Sequence, residues 1–437
     1  MTPRVTVIGA GAAGTTTAAR LLDLGARVDL VDPAERPGRG VAYRTDDPRH
    51  LLNVVAGKMS ALDDDPDDFA RWAGVERTDF VPRHVFGAYL ADHLDRAARR
   101  HPGLRVVRDR AVGLAVDGGV RTVTASGEVL AADAAVLALG PVDRTCSGWL
   151  PSDAPAARAV VPDPWADGAL AGIADDADVV LVGTGLTAAD LALSLNRTGR
   201  VVHAVSRTGL LPRRHAARQA RPMPPPEVTG CARLDDVRRV VSGHVRESLR
   251  LHGDWRPALD SLRPVTAQLW AGLPLPDRSR FLAEDLRSWE VHRHRMPGVT
   301  AGALVRMRRE GTLRCHGAGI TDVRLSGDRV VLRLGDGDVL TAGAVVNCSG
   351  ARDDVRRSTD PLITDLLASG AAKPGPLGLG FDTGPDGRLR GDGPLWTLGA
   401  LRRGNLWETT AFPEIRGQAS TVAKSVLTSL EELTCQR

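Results

Sequence analysis

Cysteine is scarce in this chain of 437 residues, and its five cysteines lie far apart. They are Cys146, Cys231, Cys315, Cys348 and Cys435, and none forms the C-x-x-C pair that is typical of zinc sites and dithiol reductases. We therefore expect no disulfide framework, no metal site and no disulfide-reducing activity. Isolated, reduced thiols favour a cytoplasmic location.

Long apolar runs and aromatic residues are also scarce. No uninterrupted apolar stretch reaches about 20 residues, the length that a membrane helix requires. The chain enters a strand without a basic and apolar leader, so we expect no signal peptide and no membrane span. Aromatic residues make up 4% of the chain, and the formal charge of +4 comes from scattered arginines. A nucleic-acid partner is therefore not expected.

The start of the chain carries a pattern that is typical of dinucleotide-binding folds. A short apolar strand runs into Gly9, Gly11 and Gly14, which form G-x-G-x-x-G, and a helix begins at Ala13. The first glycine permits a tight turn, the second lets a pyrophosphate approach, and the third lets the helix pack on the strand. The next strand ends in Asp32, whose carboxylate suits the ribose hydroxyls of an adenosine. This order predicts an FAD site.

A second motif, G-x-G-x-x-A, begins at Gly183, again between a strand and a helix. The strand after it ends in Ser206 and Arg207 rather than in an acid. A hydroxyl and a guanidinium bind a 2′-phosphate that a carboxylate would repel, so the site favours NADPH over NADH. The alternative is that Arg207 is an ordinary surface arginine. The predicted NADPH contacts are Gly183, Gly185, Leu186, Thr187, Ser206 and Arg207.

Three later strands end at Gly140, Gly350 and Gly399, where a residue without a side chain lets the backbone lie against a cofactor. We predict an α/β fold with two Rossmann-like dinucleotide-binding domains, the NAD(P) domain nested in the FAD domain. The predicted domains are residues 1–150 (FAD domain, first half), 151–340 (NAD(P)H domain) and 341–437 (FAD domain, second half).

Residues 230–311 have helical rather than strand periodicity and predict a helical insertion in the second domain. The expected helices span residues 234–251, 255–262, 265–272, 277–289 and 301–309. Trp255, Trp270 and Trp289 of this insertion are more typical of core packing than of cofactor contacts. Residues 105–130 and 312–341 alternate as β-hairpins do.

Two dinucleotide sites in one chain predict that a hydride passes from NADPH to FAD, and that the flavin performs the remaining chemistry. The absence of C-x-x-C argues against a disulfide as the next electron acceptor and leaves O₂. Reduced flavin and O₂ give a C4a-hydroperoxide, which transfers one oxygen atom to a small-molecule substrate. An FAD-dependent dehydrogenase or oxidase without oxygen insertion, and a flavin-bearing redox sensor, stay open as alternatives.

Several segments resemble the family of FAD-dependent urate hydroxylases and aspartate N-monooxygenases. They are the two glycine motifs, Gly40–Tyr43, Leu51–Val54 and Trp407–Gln418. The resemblance implies a single-component flavin monooxygenase with Asn53, Val54 and Met59 near the isoalloxazine. It also implies that Gly399 and the segment Glu408–Gln418 close over the flavin. The family spans N-oxygenation of an amino acid and C-hydroxylation of a purine, so it does not fix the substrate.

The motifs and the resemblance together predict the remaining cofactor contacts. They are Gly9, Gly11, Ala13, Gly14, Asp32, Pro33, Arg39, Asn53, Val54, Met59, Gly140, Gly350, Gly399, Glu408, Thr409, Thr410 and Ile415. Val55 stands where the family's Asn-Val-Pro version has proline, which leaves the geometry of that loop open.

Two basic clusters are candidates for the substrate site. Arg213 and Arg214 follow the second nucleotide strand, and His292 and Arg293 lie near the end of the helical insertion. The charge, with few aromatic rings to stack on a purine, favours a small acid that bears an amine. N-oxygenation also needs little acid–base machinery, because a neutral amine attacks the peroxide oxygen directly. Alternatively, the arginines bind only NADPH phosphates or water, and the second cluster is a solvated helix end. The sequence leaves catalytic residues and oligomeric state open.

Overall fold

The computed structural model describes residues 2–141, 159–217, 221–350 and 354–435. Cys146 and the predicted domain boundary at residues 150 and 151 lie outside these ranges. The strands are β1 Arg4–Ile8, β2 Arg27–Val31, β3 Leu104–Val107, β4 Ala111–Val116, β5 Val120–Thr124, β6 Val129–Ala132, β7 Ala134–Leu137, β8 Val160–Val161, β9 Val179–Val182, β10 Val202–Ser206, β11 Leu313–Gly317, β12 Ile320–Ser326, β13 Arg329–Leu334, β14 Val339–Ala342, β15 Ala344–Asn347 and β16 Leu395–Thr397.

The α-helices alternate with these strands in the two nucleotide folds and cluster in the insertion. They are α1 Ala12–Asp23, α2 Gly40–Tyr43, α3 Asp68–Ala73, α4 Arg83–Arg100, α5 Leu186–Leu195, α6 Leu234–His252, α7 Arg256–Ser261, α8 Thr266–Gly272, α9 Leu275–Glu284, α10 Leu286–Arg293, α11 Gly298–Arg309, α12 Pro361–Ala368, α13 Arg403–Leu406 and α14 Phe412–Cys435.

The first sheet is parallel, with the strand order β16–β7–β1–β2–β3. Helices α1, α4 and α14 pack on one face, and the β4–β5–β6 hairpins with α12 pack on the other. Because both faces are covered, the central strands consist of nearly continuous apolar residues. The last strand of this sheet, β16, comes from the end of the chain, which confirms that the first fold is interrupted by the second.

The second sheet is also parallel, with the order β11–β10–β9–β15–β8. Its strand β15 pairs with β9, as β7 pairs with β1 in the first sheet. The boundary that we predicted at residue 341 is therefore wrong, because it assigns β15 to the FAD domain. The apolar sequence of β15 would suit a buried strand in either sheet, and only the strand pairing shows to which sheet it belongs.

Two smaller features also differ from expectation. Residues 105–130 do contain hairpins, the antiparallel sheet β4–β5–β6, but β3 joins the parallel sheet beside β2. Helix α11 packs on α5 and leads into β11, so it serves as a crossover helix of the second nucleotide fold. The predicted helix 277–289 is two helices, α9 and α10, separated by Asp285, whose carboxylate accepts hydrogen bonds from Arg238 of α6.

The two nucleotide folds contact each other through α5. Arg83 of the first fold forms an ion pair of 2.6 Å with Asp190, which is 4% exposed. The ring nitrogen Nε2 of His50 lies 2.8 Å from Ser194 Oγ, and the hydroxyl of Ser194 donates to Asp47. Burial is the main reason that the pKa of His50 falls to about 4, so this imidazole is neutral at neutral pH.

Candidate functional site

The glycines of the first motif have three separate physical roles. Gly9 has φ +100°, and a Cβ there would lie 2.4 Å from Ala138 O. A Cβ on Gly14 would lie 1.7 Å from Gly9 O, so α1 could not pack against the turn. Gly11 has an ordinary φ of −70°, and its Cβ would meet only Gly40 Cα, at 3.5 Å. The protein itself therefore does not require glycine at position 11, and the open space above it suits a ligand.

Asp32 lies at the end of β2 beside this turn. Its Oδ2 accepts a hydrogen bond of 2.6 Å from the backbone N–H of Ala10, and its Oδ1 accepts one of 2.8 Å from Ala34. The side chain is half-buried and next to the exposed Pro33. These two bonds hold the carboxylate at the mouth of the glycine turn, which is where an adenosine ribose lies in dinucleotide folds.

The C-terminal tail is bonded to Gly399, which follows β16 and lies near the first glycine motif. The amide of Gln418 accepts a hydrogen bond from Gly399 N (3.0 Å) and donates one to Thr409 Oγ1 (2.7 Å). The hydroxyl of Thr409 in turn donates to Gly399 O (3.0 Å). A Cβ on Gly399 would stand 3.9 Å from the Cβ of Ala13. The network therefore brings residues 399, 409 and 418 to the first glycine motif; Thr410 is exposed and Ile415 is buried.

The other predicted FAD contacts differ in their exposure and in their partners within the protein. Asn53 and Val54 are half-buried, and Asn53 O lies 2.9 Å from Nε2 of His215 in the second fold. Met59 is only 2% exposed because it packs in an apolar cluster, so its side chain offers little surface to a ligand. Arg39 forms an ion pair of 3.1 Å with Asp46. Gly140 has a positive φ, and a Cβ there would meet no atom within 4 Å.

The second glycine turn repeats the geometry of the first. Gly183 has φ +122°, and its Cβ would lie 2.3 Å from Cys348 O. A Cβ on Gly185 would meet nothing within 4 Å, so this position, like Gly11, faces open space. Leu186 and Thr187 form the half-buried first turn of α5, and Gly350 follows β15 with φ +87°.

The sequence analysis missed an arginine at this second turn. Ser206 Oγ lies 2.8 Å from Thr184 Oγ1, and the Nη2 of Arg287 donates to the same threonine hydroxyl at 2.8 Å. Burial lowers the pKa of Arg287, and the neighbouring charge of Arg207 lowers it further. Two guanidinium groups and a hydroxyl thus lie together after β10. Arg287 comes from α10, 80 positions after Arg207, and no local pattern points to it.

The two basic clusters proposed for the substrate lie side by side. The backbone N–H of Arg213 donates to Val291 O (2.8 Å), and that of His215 donates to Met296 O (2.9 Å). A β-bridge links Arg214 to Met296, and the side chains of Arg213 and Arg214 are exposed. His215, at the end of the first cluster, also contacts Asn53 O of the first fold, at 2.9 Å.

The side chains of His292 and Arg293 diverge from each other. Arg293 forms a bidentate ion pair with Glu408, through Nε–Oε1 (2.7 Å) and Nη2–Oε2 (2.9 Å). The two side chains are 9% and 12% exposed. The charge of Arg293 is therefore balanced within the protein, and Glu408 of the tail is tied to the insertion. His292 Nδ1 bonds to Ser288 O at 2.8 Å, and its ring lies against Trp255.

Ionisable groups crowd the region between the insertion and the first fold. The pKa of Lys58 is lowered, mainly by burial and also by Arg263, Arg293 and Arg295. The carboxylate of Asp260 offsets part of this charge and forms an ion pair of 2.5 Å with Arg295. Burial lowers the pKa values of His215 and His294 to about 4, so both imidazoles are neutral at pH 7.

Comparisons with known proteins agree with this geometry. Residues 6–142 match a protein family described as FAD-NAD(P)-binding. The structure is similar to that of an ornithine N-hydroxylase from Kutzneria sp. 744 with reduced FAD, NADP⁺ and L-ornithine. The identity is 14%, the TM-score is 0.63, and 98% of this chain and 100% of that one are covered. No sequence among curated proteins matches this chain.

Two further structures are similar over nearly the whole chain. A cadaverine monooxygenase from Erwinia amylovora, bound to FAD, has 12% identity and a TM-score of 0.65, with 98% and 94% of the two chains covered. A thioredoxin reductase from Lactococcus lactis has 13% identity and a TM-score of 0.56, with 98% and 99% covered. Identities this low show the fold alone. The chain has the predicted α/β fold with two Rossmann-like parallel sheets, whereas the resemblance to urate hydroxylases and aspartate N-monooxygenases stays a prediction.

Within the described ranges of the chain, no group of His, Cys, Asp and Glu side chains is arranged to hold a metal ion. Within the same ranges, no helix is long and apolar enough to cross a membrane.

Proposed function

We propose that this protein is an FAD-dependent monooxygenase that uses NADPH and O₂ to oxygenate the nitrogen of an amine, amino acids included. The reaction is R–NH₂ + O₂ + NADPH + H⁺ → R–NHOH + NADP⁺ + H₂O. The observation that carries the proposal is the pair of nested nucleotide folds, one with an acid at the glycine turn and one with a hydroxyl and two arginines. The absence of C-x-x-C favours the N-hydroxylases over the reductases among the similar structures.

The first turn fits FAD. The backbone N–H groups at the start of α1 and the open space above Gly11 suit a pyrophosphate, and Asp32 suits the ribose. When bound, FAD supplies the electron transfer and the oxygen chemistry. The bonds among Gly399, Thr409 and Gln418 fix the tail beside Gly399, near Ala13 of the first motif.

The second turn fits NADPH. Ser206, Arg207 and Arg287 surround the end of β10, where a dinucleotide fold places the adenosine ribose. Two guanidinium groups there provide charge-assisted hydrogen bonds to a 2′-phosphate, which NADH lacks. The three residues therefore discriminate between the two cofactors by binding only one of them strongly.

N-oxygenation requires a substrate amine that has lost its proton. Burial is the main reason that the pKa of Lys58 is lowered. The nearby arginines are paired with carboxylates: Arg263 with Glu414, Arg293 with Glu408 and Arg295 with Asp260. Burial beside Lys58 would likewise lower the pKa of a substrate amine and increase its neutral, nucleophilic fraction.

The proposal is tested with the FAD-loaded protein, NADPH and ¹⁸O₂, using a panel of amino acids, diamines, arylalkylamines and purines. We expect substrate-dependent NADPH oxidation and a product that carries one ¹⁸O on nitrogen. A dehydrogenase would give a product without ¹⁸O, and a redox sensor would oxidise NADPH slowly with every compound. Turnover of urate without turnover of any amine would contradict N-oxygenation.

A further inference from the structure

Helix α5 connects the second glycine turn to the first nucleotide fold. It spans Leu186–Leu195 and begins directly after Gly185, which faces the open space proposed for the NADPH pyrophosphate. Its ten residues extend over about 15 Å. From its middle onward it contacts the first fold, through Asp190 and Ser194. Because a short helix without proline bends little, a contact at Asp190 determines the position of the glycine turn.

The carboxylate of Asp190 is buried at this contact between the two folds. The residue is 4% exposed, and within the described part of the chain it forms one ion pair, of 2.6 Å, with Arg83 of the first fold. A buried ion pair adds little net stability over an apolar contact of similar size, because both charges lose their hydration. Its presence between two folds therefore points to a role in their relative orientation.

Arg83 also contacts the loop that carries predicted flavin contacts. Its backbone N–H donates to His50 O at 2.9 Å, and its side-chain Nε donates to Leu51 O at 3.2 Å. Leu51 lies two residues before Asn53 in the chain. One guanidinium therefore contacts both the helix that follows the second glycine turn and the backbone that leads to Asn53.

The imidazole of His50 forms a second set of contacts between the same surfaces. The residue is 2% exposed, and its Nε2 lies 3.1 Å from Asp190 O and 2.8 Å from Ser194 Oγ. Its Nδ1 lies 2.7 Å from Thr45 Oγ1, and the hydroxyl of Ser194 donates to Asp47. Directional bonds at several points thus fix one arrangement of α5 against the loop before Asn53.

We propose that Asp190 is a positioning residue for hydride transfer, because its ion pair with Arg83 fixes the second glycine turn relative to the loop that carries Asn53. The inference rests on the proposed passage of a hydride from NADPH to FAD. Such a step requires the reacting atoms to lie about 3–3.5 Å apart, and a misplacement of about 1 Å can cost about a hundredfold in rate. Asp190 faces the first fold rather than the glycine turn, so its substitution should slow the transfer and leave both cofactor affinities unchanged.

The charge of Asp190 should make the transfer dependent on pH. Burial is the main reason that the pKa of Asp190 rises to about 6; the charge of Arg83 lowers it, and that of Asp47 raises it. The groups that face Asp190 keep their charge states between pH 5 and 8. Arg83 and Asp47 stay charged, His50 is neutral because burial lowers its pKa to about 4, and burial raises the pKa of the Cys348 thiol. Asp190 alone therefore loses its charge as the pH falls from 7 to 5, and the ion pair with Arg83 is lost.

The inference is tested by anaerobic stopped-flow reduction of the FAD-loaded, full-length protein at saturating NADPH. Asp190→Asn should lower the limiting rate about tenfold or more at pH 7, with an unchanged Kd for NADPH and an unchanged FAD content. The wild-type rate should fall between pH 7 and 5, and the variant should lose this dependence. Asp29→Asn is the matched control, because Asp29 is 2% exposed and pairs with Arg4, at 3.2 Å, inside the first fold.

Hydrogen exchange of the cofactor-free proteins gives a second measurement. Asp190→Asn should increase exchange in residues 45–54 and in α5, whereas Asp29→Asn should not. Arg83→Gln and the double variant should transfer hydride as slowly as Asp190→Asn, because the two side chains act as one pair. These two variants also decide the question if Asp190→Asn does not fold.

Unchanged transfer in Asp190→Asn and Arg83→Gln, or an equal loss in Asp29→Asn, would overturn the inference. If transfer depends on Asp190 as expected but no amine gains ¹⁸O, the inference stands and the oxygenase proposal fails. If amines are oxygenated and the variants reduce FAD at the wild-type rate, the oxygenase proposal stands and the inference fails. Failure of NADPH to reduce FAD in the wild type would overturn both.

Discussion

A methyl group on Gly11 should abolish tight FAD binding while leaving the fold intact. The structure separates Gly11 from its neighbours in the motif, because φ is −70° and an added Cβ would contact only Gly40 Cα, at 3.5 Å. Gly11→Ala should therefore keep or slightly raise the free energy of unfolding, by up to about 1 kcal/mol, since alanine restricts the unfolded chain. The same methyl on Gly14 would lie 1.7 Å from Gly9 O and must disrupt the turn.

The expected loss of FAD affinity follows from the contacts that the methyl displaces. Backbone N–H groups bond to the charged pyrophosphate, and each bond to a charged group is worth about 1.5–3 kcal/mol. Loss of one such bond weakens binding by roughly tenfold to more than a hundredfold. The measurements are flavin absorbance per protein after purification, the Kd for FAD from fluorescence quenching, and thermal unfolding of the flavin-free protein.

A matched change in the second motif makes the test specific. A Cβ on Gly185 would meet no atom within 4 Å, so Gly185→Ala should fold, bind FAD normally and lose NADPH affinity. Gly11→Ala should instead bind NADPH normally and lose FAD affinity. If Gly11→Ala retains the wild-type Kd for FAD, or if it loses FAD only because it unfolds, then the space above Gly11 is not the pyrophosphate site.

Three further predictions follow from single contacts. Arg207→Ala should raise the KM for NADPH about tenfold to a hundredfold (~1.5–3 kcal/mol) and leave NADH unchanged; equal losses would contradict the 2′-phosphate site. Glu408→Ala leaves the mostly buried Arg293 with only the more distant Asp260, at 3.8 Å, and should cost up to about 3–5 kcal/mol in urea unfolding. Asp117→Ala in an exposed ion pair should cost less than about 1 kcal/mol. Burial lowers the pKa of His93 to about 4, whereas the pKa of an unfolded histidine is about 6.5. The free energy of unfolding should therefore fall by up to about 3 kcal/mol as the pH drops from about 6.5 to 4. His93→Phe should reduce this pH dependence in urea titrations, and an unchanged dependence would show that His93 is not its source.

Local sequence patterns were sufficient to predict the two nucleotide folds. Each glycine turn needs a strand before it and a helix after it, and these three signals lie within a few consecutive residues. The pairing of β15 with β9 was not predictable in this way, because a buried four-residue strand carries no information about which sheet it joins. Sheet membership depends on contacts between residues that are more than 150 positions apart, and these contacts fix the domain boundary.

The candidate site shows the same limit more strongly. Arg207 could be proposed from the sequence because it directly follows the strand after the second glycine motif, whereas Arg287 reaches the end of that strand from a helix of the insertion. Arg293 was predicted as a substrate contact from charge alone, but its partner Glu408 lies 115 positions away and neutralises it. A basic cluster in a sequence therefore overstates the free positive charge of a site until its acidic partners are located.

The aromatic content of the sequence has a related limit. An average of 4% says how many rings a chain has and nothing about their spacing in the folded protein. Two tryptophans that line one groove of the insertion, Trp255 and Trp407, lie about 150 residues apart in the sequence and belong to different parts of the fold. The predicted cofactor sites can therefore be recognised from local motifs, whereas the position of a substrate depends on the tertiary structure.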